Sequence, residues 1–221
     1  MRSCEHPGGA ILEGKMFGFE KEELEILKKL NSPKKIQDFL NELQINFEEI
    51  GDTCMSPRMV LRLKKAHCIE AALLAAVALR LHGEKPLIVD LEANNKDFDH
   101  VITVFKKNGK WGAISKSNHG VLRYREPIYR DIRELVMSYF HEYHDKGIKN
   151  LRKYSLPVDL RKFDKIEWMT REGDVWEIPN FLTEVKHFNL LDRKQIAGLR
   201  KVDEIEKKIG DIVEQEPEKK N

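Results

Sequence analysis

The stretch Ala66-His67-Cys68-Ile69-Glu70-Ala71-Ala72-Leu73-Leu74-Ala75-Ala76-Val77-Ala78-Leu79-Arg80-Leu81-His82-Gly83 decides the architecture. From Cys68 to Leu81 its apolar residues occupy every side of a helix, and Gly83 can adopt the left-handed conformation that ends one. A helix apolar all round has to be enclosed by its neighbours in the chain. Upstream, Leu24, Leu27 and Leu30 recur at helical spacing over residues 20–30, and Ser32-Pro33 opens a second amphipathic helix through Ile36, Phe39, Leu40 and Leu43. Ser56-Pro57 repeats that start signal ahead of Met59, Val60 and Leu63. Downstream the period becomes that of strands, over residues 86–91, residues 101–105 and Trp111 to about Ser117. The last two are joined by Lys107-Asn108-Gly109-Lys110, whose Asn-Gly pair suits a type I′ hairpin. The order predicts an α+β domain in which a buried helix packs on a small antiparallel sheet with flanking helices.

Composition narrows the function classes. With 221 residues, 41% hydrophobic and 34% charged, the chain is neither disordered nor fibrous, and a net charge of +2 supplies no field for a polyanion. Nucleic acid is therefore not an expected partner. The longest apolar run, Ile69 to Leu81, is shorter than the ~20 residues that cross a bilayer, and residues 1–15 lack the basic-then-apolar order of a secretory leader. No membrane partner is expected, and the cytoplasm is the expected compartment. Cys4, Cys54 and Cys68 are widely spaced without a CxxC pair, so neither a disulfide framework, a metal nor a cofactor is expected. Residues 1–206 read as a single domain with its catalytic core at about 57–125, and residues 207–221, rich in Glu and Lys, as a flexible tail. In the second half, residues 131–143 read as a helix and residues 158–179 as irregular. Asp192 caps one long helix to about Val213, whose narrow stripe of Ile196, Leu199, Val202, Ile205 and Ile209 covers its own domain or pairs two chains as a homodimer.

Cys68 begins the enclosed helix, where the helix dipole and unpaired N–H groups favour a thiolate. A nucleophilic cysteine also needs a base, and His100, opening the second strand behind Asp97 and Asp99, is the candidate. Packing the helix on the sheet brings the start of one near an end of the other. A thiol beside Ala71, Ala72 and Ala75 equally fits an inert core position, and only the conjunction with His100 distinguishes it. Cys54 and Cys4 lack such surroundings. His141 and His144 stand three apart without a third ligand, so they read as solvent-facing.

The segments Ala66-His67-Cys68-Ile69-Glu70-Ala71, Asp99-His100-Val101-Ile102 and Gly109-Lys110-Trp111-Gly112-Ala113-Ile114-Ser115 resemble, in order and spacing, the transglutaminase-like superfamily of papain-like cysteine enzymes, as a microbial branch distinct from its best-known members. The resemblance covers about residues 61–118. It implies a cysteine that begins a helix, a histidine that begins the following strand, and an acidic residue that ends the next strand just after a tryptophan. It also implies a thiol hydrolase or acyltransferase, peptidase, amidase or transglutaminase-like, acting on a peptide or amide. Four residues after Trp111 the expected acid is replaced by Ser115. A two-residue Asn-Gly turn makes facing positions sum to 217, so His100 lies opposite Ser117 with Ser115 diagonal to it. Ser117 is therefore the first candidate to orient His100, with Ser115 and, through a bulge or strand end, Asn118 behind it. The Cys68 N–H would serve the oxyanion, with His67, Gln44 or Asn46 as a second donor. Trp111, Arg123 and Arg125 are candidate substrate contacts, although Glu126, Asp131 and Glu134 nearby favour intramolecular ion pairs for the arginines. The alternative function is a catalytically inactive module that binds a peptide or an anionic ligand in the same cleft.

Overall fold

The computed structural model describes residues 16–49, 51–95 and 97–214. Cys4 and residues 215–221 lie outside them. Helices α1 (Lys21–Lys29), α2 (Pro33–Glu42) and α3 (Pro57–Leu63) form where the spacing predicts them. The hydroxyls of Ser32 and Ser56 accept from the N–H groups of Lys35 and Met59, satisfying donors that a helix start leaves free, and each following proline sits where its missing N–H costs nothing. Helix α4 runs Cys68–Leu81, with every residue from Ile69 to Leu79 buried. Burying side chains such as Leu73, Leu74 and Val77 contributes about 1.5–3 kcal/mol apiece.

The sheet against α4 is wholly antiparallel and larger than the three strands expected. Strands β1 (Leu87–Ala93), β2 (His100–Lys107) and β3 (Lys110–Ile114) are joined by β4 (Arg125–Tyr129), β5 (Leu151–Ser155), β6 (Val158–Asp159) and β7 (His187–Asn189), in the order β7-β5-β1-β2-β3-β4 with β6 paired to β1. Lys107 faces Lys110 and Thr103 faces Ile114, which is the register that the Asn108-Gly109 turn dictates. Both turn residues have positive φ, 50° and 75°, as a type I′ turn requires. Alternate residues of β1 and β2 feed two cores. Ile88, Val101 and Phe105 pack towards α1–α4, while Val89, Leu91, Ile102 and Val104 pack with Leu135, Val136 and Tyr139 on the other face. A buried bond from Thr103 Oγ1 to the Ala72 carbonyl, 2.6 Å, ties β2 to the first turns of α4.

The second half departs from the expected helices. Residues 131–143 hold only the short α5 (Ile132–Met137) before turning. The expected irregular stretch contains a 3-10 helix, Leu160–Ile166, and ends in α6 (Glu177–Glu184). The single long terminal helix is two, α7 (Arg193–Ala197) and α8 (Glu204–Gly210). The break has local causes: α7 closes on Gly198, and Asp203 starts α8 afresh by accepting from the N–H groups of Ile205 and Glu206 while the Glu206 carboxylate accepts from its own N–H. The continuous stripe proposed for dimerisation is thereby divided, with Val202 buried and Ile205 exposed. Nor does the chain loosen at Lys207. It completes α8, and residues 212–214 bond to the loop after β3, through Gly120 N to Ile212 O and Glu214 N to Asn118 O. Among the described residues, no helix is long and apolar enough to cross a membrane.

Candidate active site

Cys68 is the first residue of α4, preceded by an extended His67. The Ala71 N–H bonds the His67 carbonyl, so the N–H of Cys68 precedes the helical ladder and is available at the mouth of the helix. The half-buried thiol borders a cleft of about 610 Å³ also lined by His67, His100, Ser117 and Asn118. A roomier groove of about 770 Å³, between residues 156–162 and 181–188, is lined by neither cysteine nor histidine. The chemistry accordingly points to the smaller cleft.

His100, only 5% exposed, opens β2. Its Nε2 lies 2.8 Å from Ser115 Oγ, and that hydroxyl donates to the Leu122 carbonyl at 2.6 Å. With its proton so committed, the hydroxyl accepts from His100, which places hydrogen on Nε2 and leaves Nδ1 uncommitted. Burial by itself would raise the Cys68 thiol, but hydrogen bonds from His100 and His67, reinforced by their charges, outweigh it and hold the group down to about 5. The shift favours the thiolate.

The orienting group is Ser115, not Ser117. Register is as expected, yet strand pairing stops at Ile114 because the Gln37 side chain takes over both backbone groups of Ser115, accepting from its N–H at 3.0 Å and donating to its carbonyl at 2.9 Å. This clamp from α2 peels the chain off β2 before Ser117 comes opposite His100. Ser117 Oγ instead accepts from the His119 N–H, and the Asn118 carbonyl receives Glu214 N. Lys116, between Ser115 and Ser117, is buried and caps the end of α2 by donating to the carbonyls of Leu40 and Leu43 at 2.9 and 2.7 Å. Burial lowers the pKa of its ammonium.

The proposed substrate contacts lie elsewhere. Trp111 faces Lys106, six residues along β2 from His100, about 20 Å at strand rise, and the Lys106 ammonium stacks on its ring. Arg123 pairs with Glu214 at 3.0 Å and donates to the His119 carbonyl. Arg125 pairs with Glu142, donates to Ser138 Oγ and lies 4.1 Å over the Tyr139 ring. None of the three lines the cleft. Of the suggested oxyanion donors, Asn46 is spent on Thr53 and Glu70, and Gln44 belongs to a short strand pair with Lys65.

Glu70, beside the candidate nucleophile, was not among the residues singled out in the sequence. Wholly buried in the first turn of α4, its carboxylate accepts from Asn46 Nδ2, Thr53 Oγ1 at 2.8 Å, Met55 N at 2.9 Å and His67 N at 3.0 Å. A glutamate three residues after the helix-capping position in an otherwise apolar run was the available signal. Cys54, by contrast, is fully buried, and desolvation raises its thiol. Among the described residues, no group of three histidine, cysteine or carboxylate side chains is arranged to hold a metal ion. Neither a protein-family model nor a curated protein matches the chain.

Proposed function

We propose that the protein is a cysteine-dependent acyl-transfer enzyme of transglutaminase-like fold, acting on a peptide or amide through Cys68, His100 and Ser115. The observation that carries this reading is that the helix-start sulfur and the strand-start imidazole border one cleft, with the Ser115 hydroxyl 2.8 Å from the imidazole. The thiolate attacks the substrate carbonyl carbon, forming the S–C bond as the π electrons move to oxygen. The Cys68 N–H, at the positive end of α4, donates to that oxyanion. His100 gives its Nδ1 proton to the departing amine as the C–N bond breaks, leaving a thioester. Water or a second amine then attacks while His100 takes its proton, and the thiolate leaves. Ser115 holds the ring in the tautomer that these steps need, but as a neutral group it stabilises the imidazolium less than a carboxylate would. The unpaired thiols of Cys54 and Cys68 suit a reducing compartment such as the cytoplasm.

The test is acylation by p-nitrophenyl acetate near neutral pH, followed by mass mapping. A stoichiometric burst of nitrophenol with acetyl on Cys68, lost in Cys68→Ala, is the expected result. Labelling that is slow and equal at all three cysteines would sink the enzymatic reading and leave the cleft as a binding site.

A further inference from the structure

His67 is within reach of the sulfur that His100 serves, and its surroundings are unusual for a neutral imidazole. Three acceptor oxygens surround Nε2: the Thr53 carbonyl at 3.0 Å, Glu70 Oε1 at 3.3 Å and Glu48 Oε1 at 3.5 Å. Two are carboxylate oxygens, and Glu70 is wholly buried with every other contact a donor. A buried carboxylate is tolerated only where hydrogen bonds and a counter-charge compensate its lost hydration. With Nε2 committed to oxygen, the ring borders the same cleft as Cys68, its neighbour in the chain, whose thiolate a charge on the ring favours.

We propose that His67 is a positioning residue for the nucleophile: an imidazolium kept charged by Glu70, which holds the Cys68 thiolate in place while His100 moves the proton. This rests on the acyl-transfer reading for its purpose but not for its test. The chemistry separates two duties that a single histidine performs at once. A lone imidazolium gives up its proton to the leaving group and stays neutral while the thioester persists, regaining its charge only when the attacking water or amine delivers a proton. A second cation that does not exchange its proton with substrate favours the thiolate both before the attack and as the thioester breaks.

The other ionisable groups around the sulfur leave this role to the histidines. Asp90 on β1, Asp97 and Asp99 in the loop before β2, and Glu48 in the loop before α3 are carboxylic acids, whose negative charge opposes a thiolate, while burial raises the Cys54 thiol and the Tyr143 hydroxyl and keeps both neutral. Lys116 directs its ammonium to the end of α2. Burial by itself would lower the His67 imidazole, but the hydrogen bond to Cys68 and the Glu70 charge outweigh it and raise it to about 9, in keeping with the geometry.

Iodoacetamide alkylation of Cys68 from pH 4 to 10, followed by mass mapping, tests this without any substrate. In His67→Gln the midpoint of the profile should rise by at least one pH unit, about a tenfold slower reaction on the acid limb, and His67→Lys should restore it. In His100→Gln the midpoint should stay below that of an ordinary thiol, because His67 remains. A folded His67→Gln with the unaltered midpoint overturns the proposal, as does a His100→Gln midpoint at the ordinary thiol value. If the midpoints move as expected but p-nitrophenyl acetate gives no burst, acyl transfer fails while the role of His67 stands.

Discussion

Replacing Ser115 by alanine removes the hydroxyl that accepts from His100 Nε2 at 2.8 Å and donates to the Leu122 carbonyl at 2.6 Å. Both side chains are buried, His100 at 5% and Ser115 at 2% exposure, so no water replaces the lost acceptor. A buried N–H without a partner costs about 1–3 kcal/mol. The cost weighs most on the protonated ring, which needs acceptors at both nitrogens, and hence on the thiolate form of the pair. At 1.36 kcal/mol per pH unit, the midpoint of Cys68 alkylation should climb from about 5 by roughly one to two units. Turnover should fall by roughly 5- to 150-fold. Ser115→Asp, which restores the acid of the related pattern, should bring no gain. A carboxylate has no hydrogen for the Leu122 carbonyl and would be buried against it, so calorimetry should show a lower Tm than that of Ser115→Ala. The pH profile of alkylation is the deciding assay. A folded Ser115→Ala whose midpoint coincides with the unaltered protein would refute the orienting role of this hydroxyl.

Two further predictions concern buried carboxylates that do not line the cleft. Glu23 on α1 pairs with Arg58 at 3.1 Å and Arg62 at 3.2 Å. Burial raises its carboxyl, but a bond from the Glu20 N–H and the two arginines outweigh it and leave the pKa lowered. Its stabilisation is therefore complete above about pH 4.5 and lost as the pH falls through the depressed value. Glu23→Gln, which leaves the buried Arg58 the carbonyls of Gly18 and Thr170 and Glu172 at 3.8 Å, should cost about 1–3 kcal/mol at pH 7, and urea unfolding between pH 3 and 7 should show a weaker acid-side loss; an unchanged midpoint at pH 7 contradicts this. Asp90 on β1 meets His187 Nε2 of β7 at 2.9 Å, and burial, only partly offset by that histidine, raises it to about 6. The folded state thus keeps a proton that the unfolded chain releases between about pH 4 and 6, so this group erodes stability as pH rises through that window. Asp90→Asn should remove that component, seen as a shallower fall in unfolding free energy from pH 4 to 6, and an identical slope would contradict the assignment.

How much of this was legible in the chain varies by residue. α4 was readable to its bounds, because an all-round apolar run admits few other structures. Asn108-Gly109 set the β2–β3 register, because a two-residue turn leaves no slack. The Gly198 break and the capping pair Asp203 and Glu206 were legible too, but the longer hydrophobic period masked them. Strands β5 and β7 carry no clean alternation: Arg152 and Lys153 in β5 and His187 in β7 are stranded by neighbours far along the chain.

By itself, then, the sequence determined the enclosed helix, the hairpin register and the cysteine and histidine at the ends of those two elements, all through interactions between near neighbours in the chain. Only the tertiary structure decided that Ser115 and not Ser117 holds His100, since the Gln37 amide that detaches Ser115 from the strand comes from 78 residues away. The same holds for Glu70, whose partners Asn46, Thr53 and Met55 reach it from a separate loop. Hydrogen bonds between distant segments follow from how whole elements pack, and local spacing along the chain does not encode that packing.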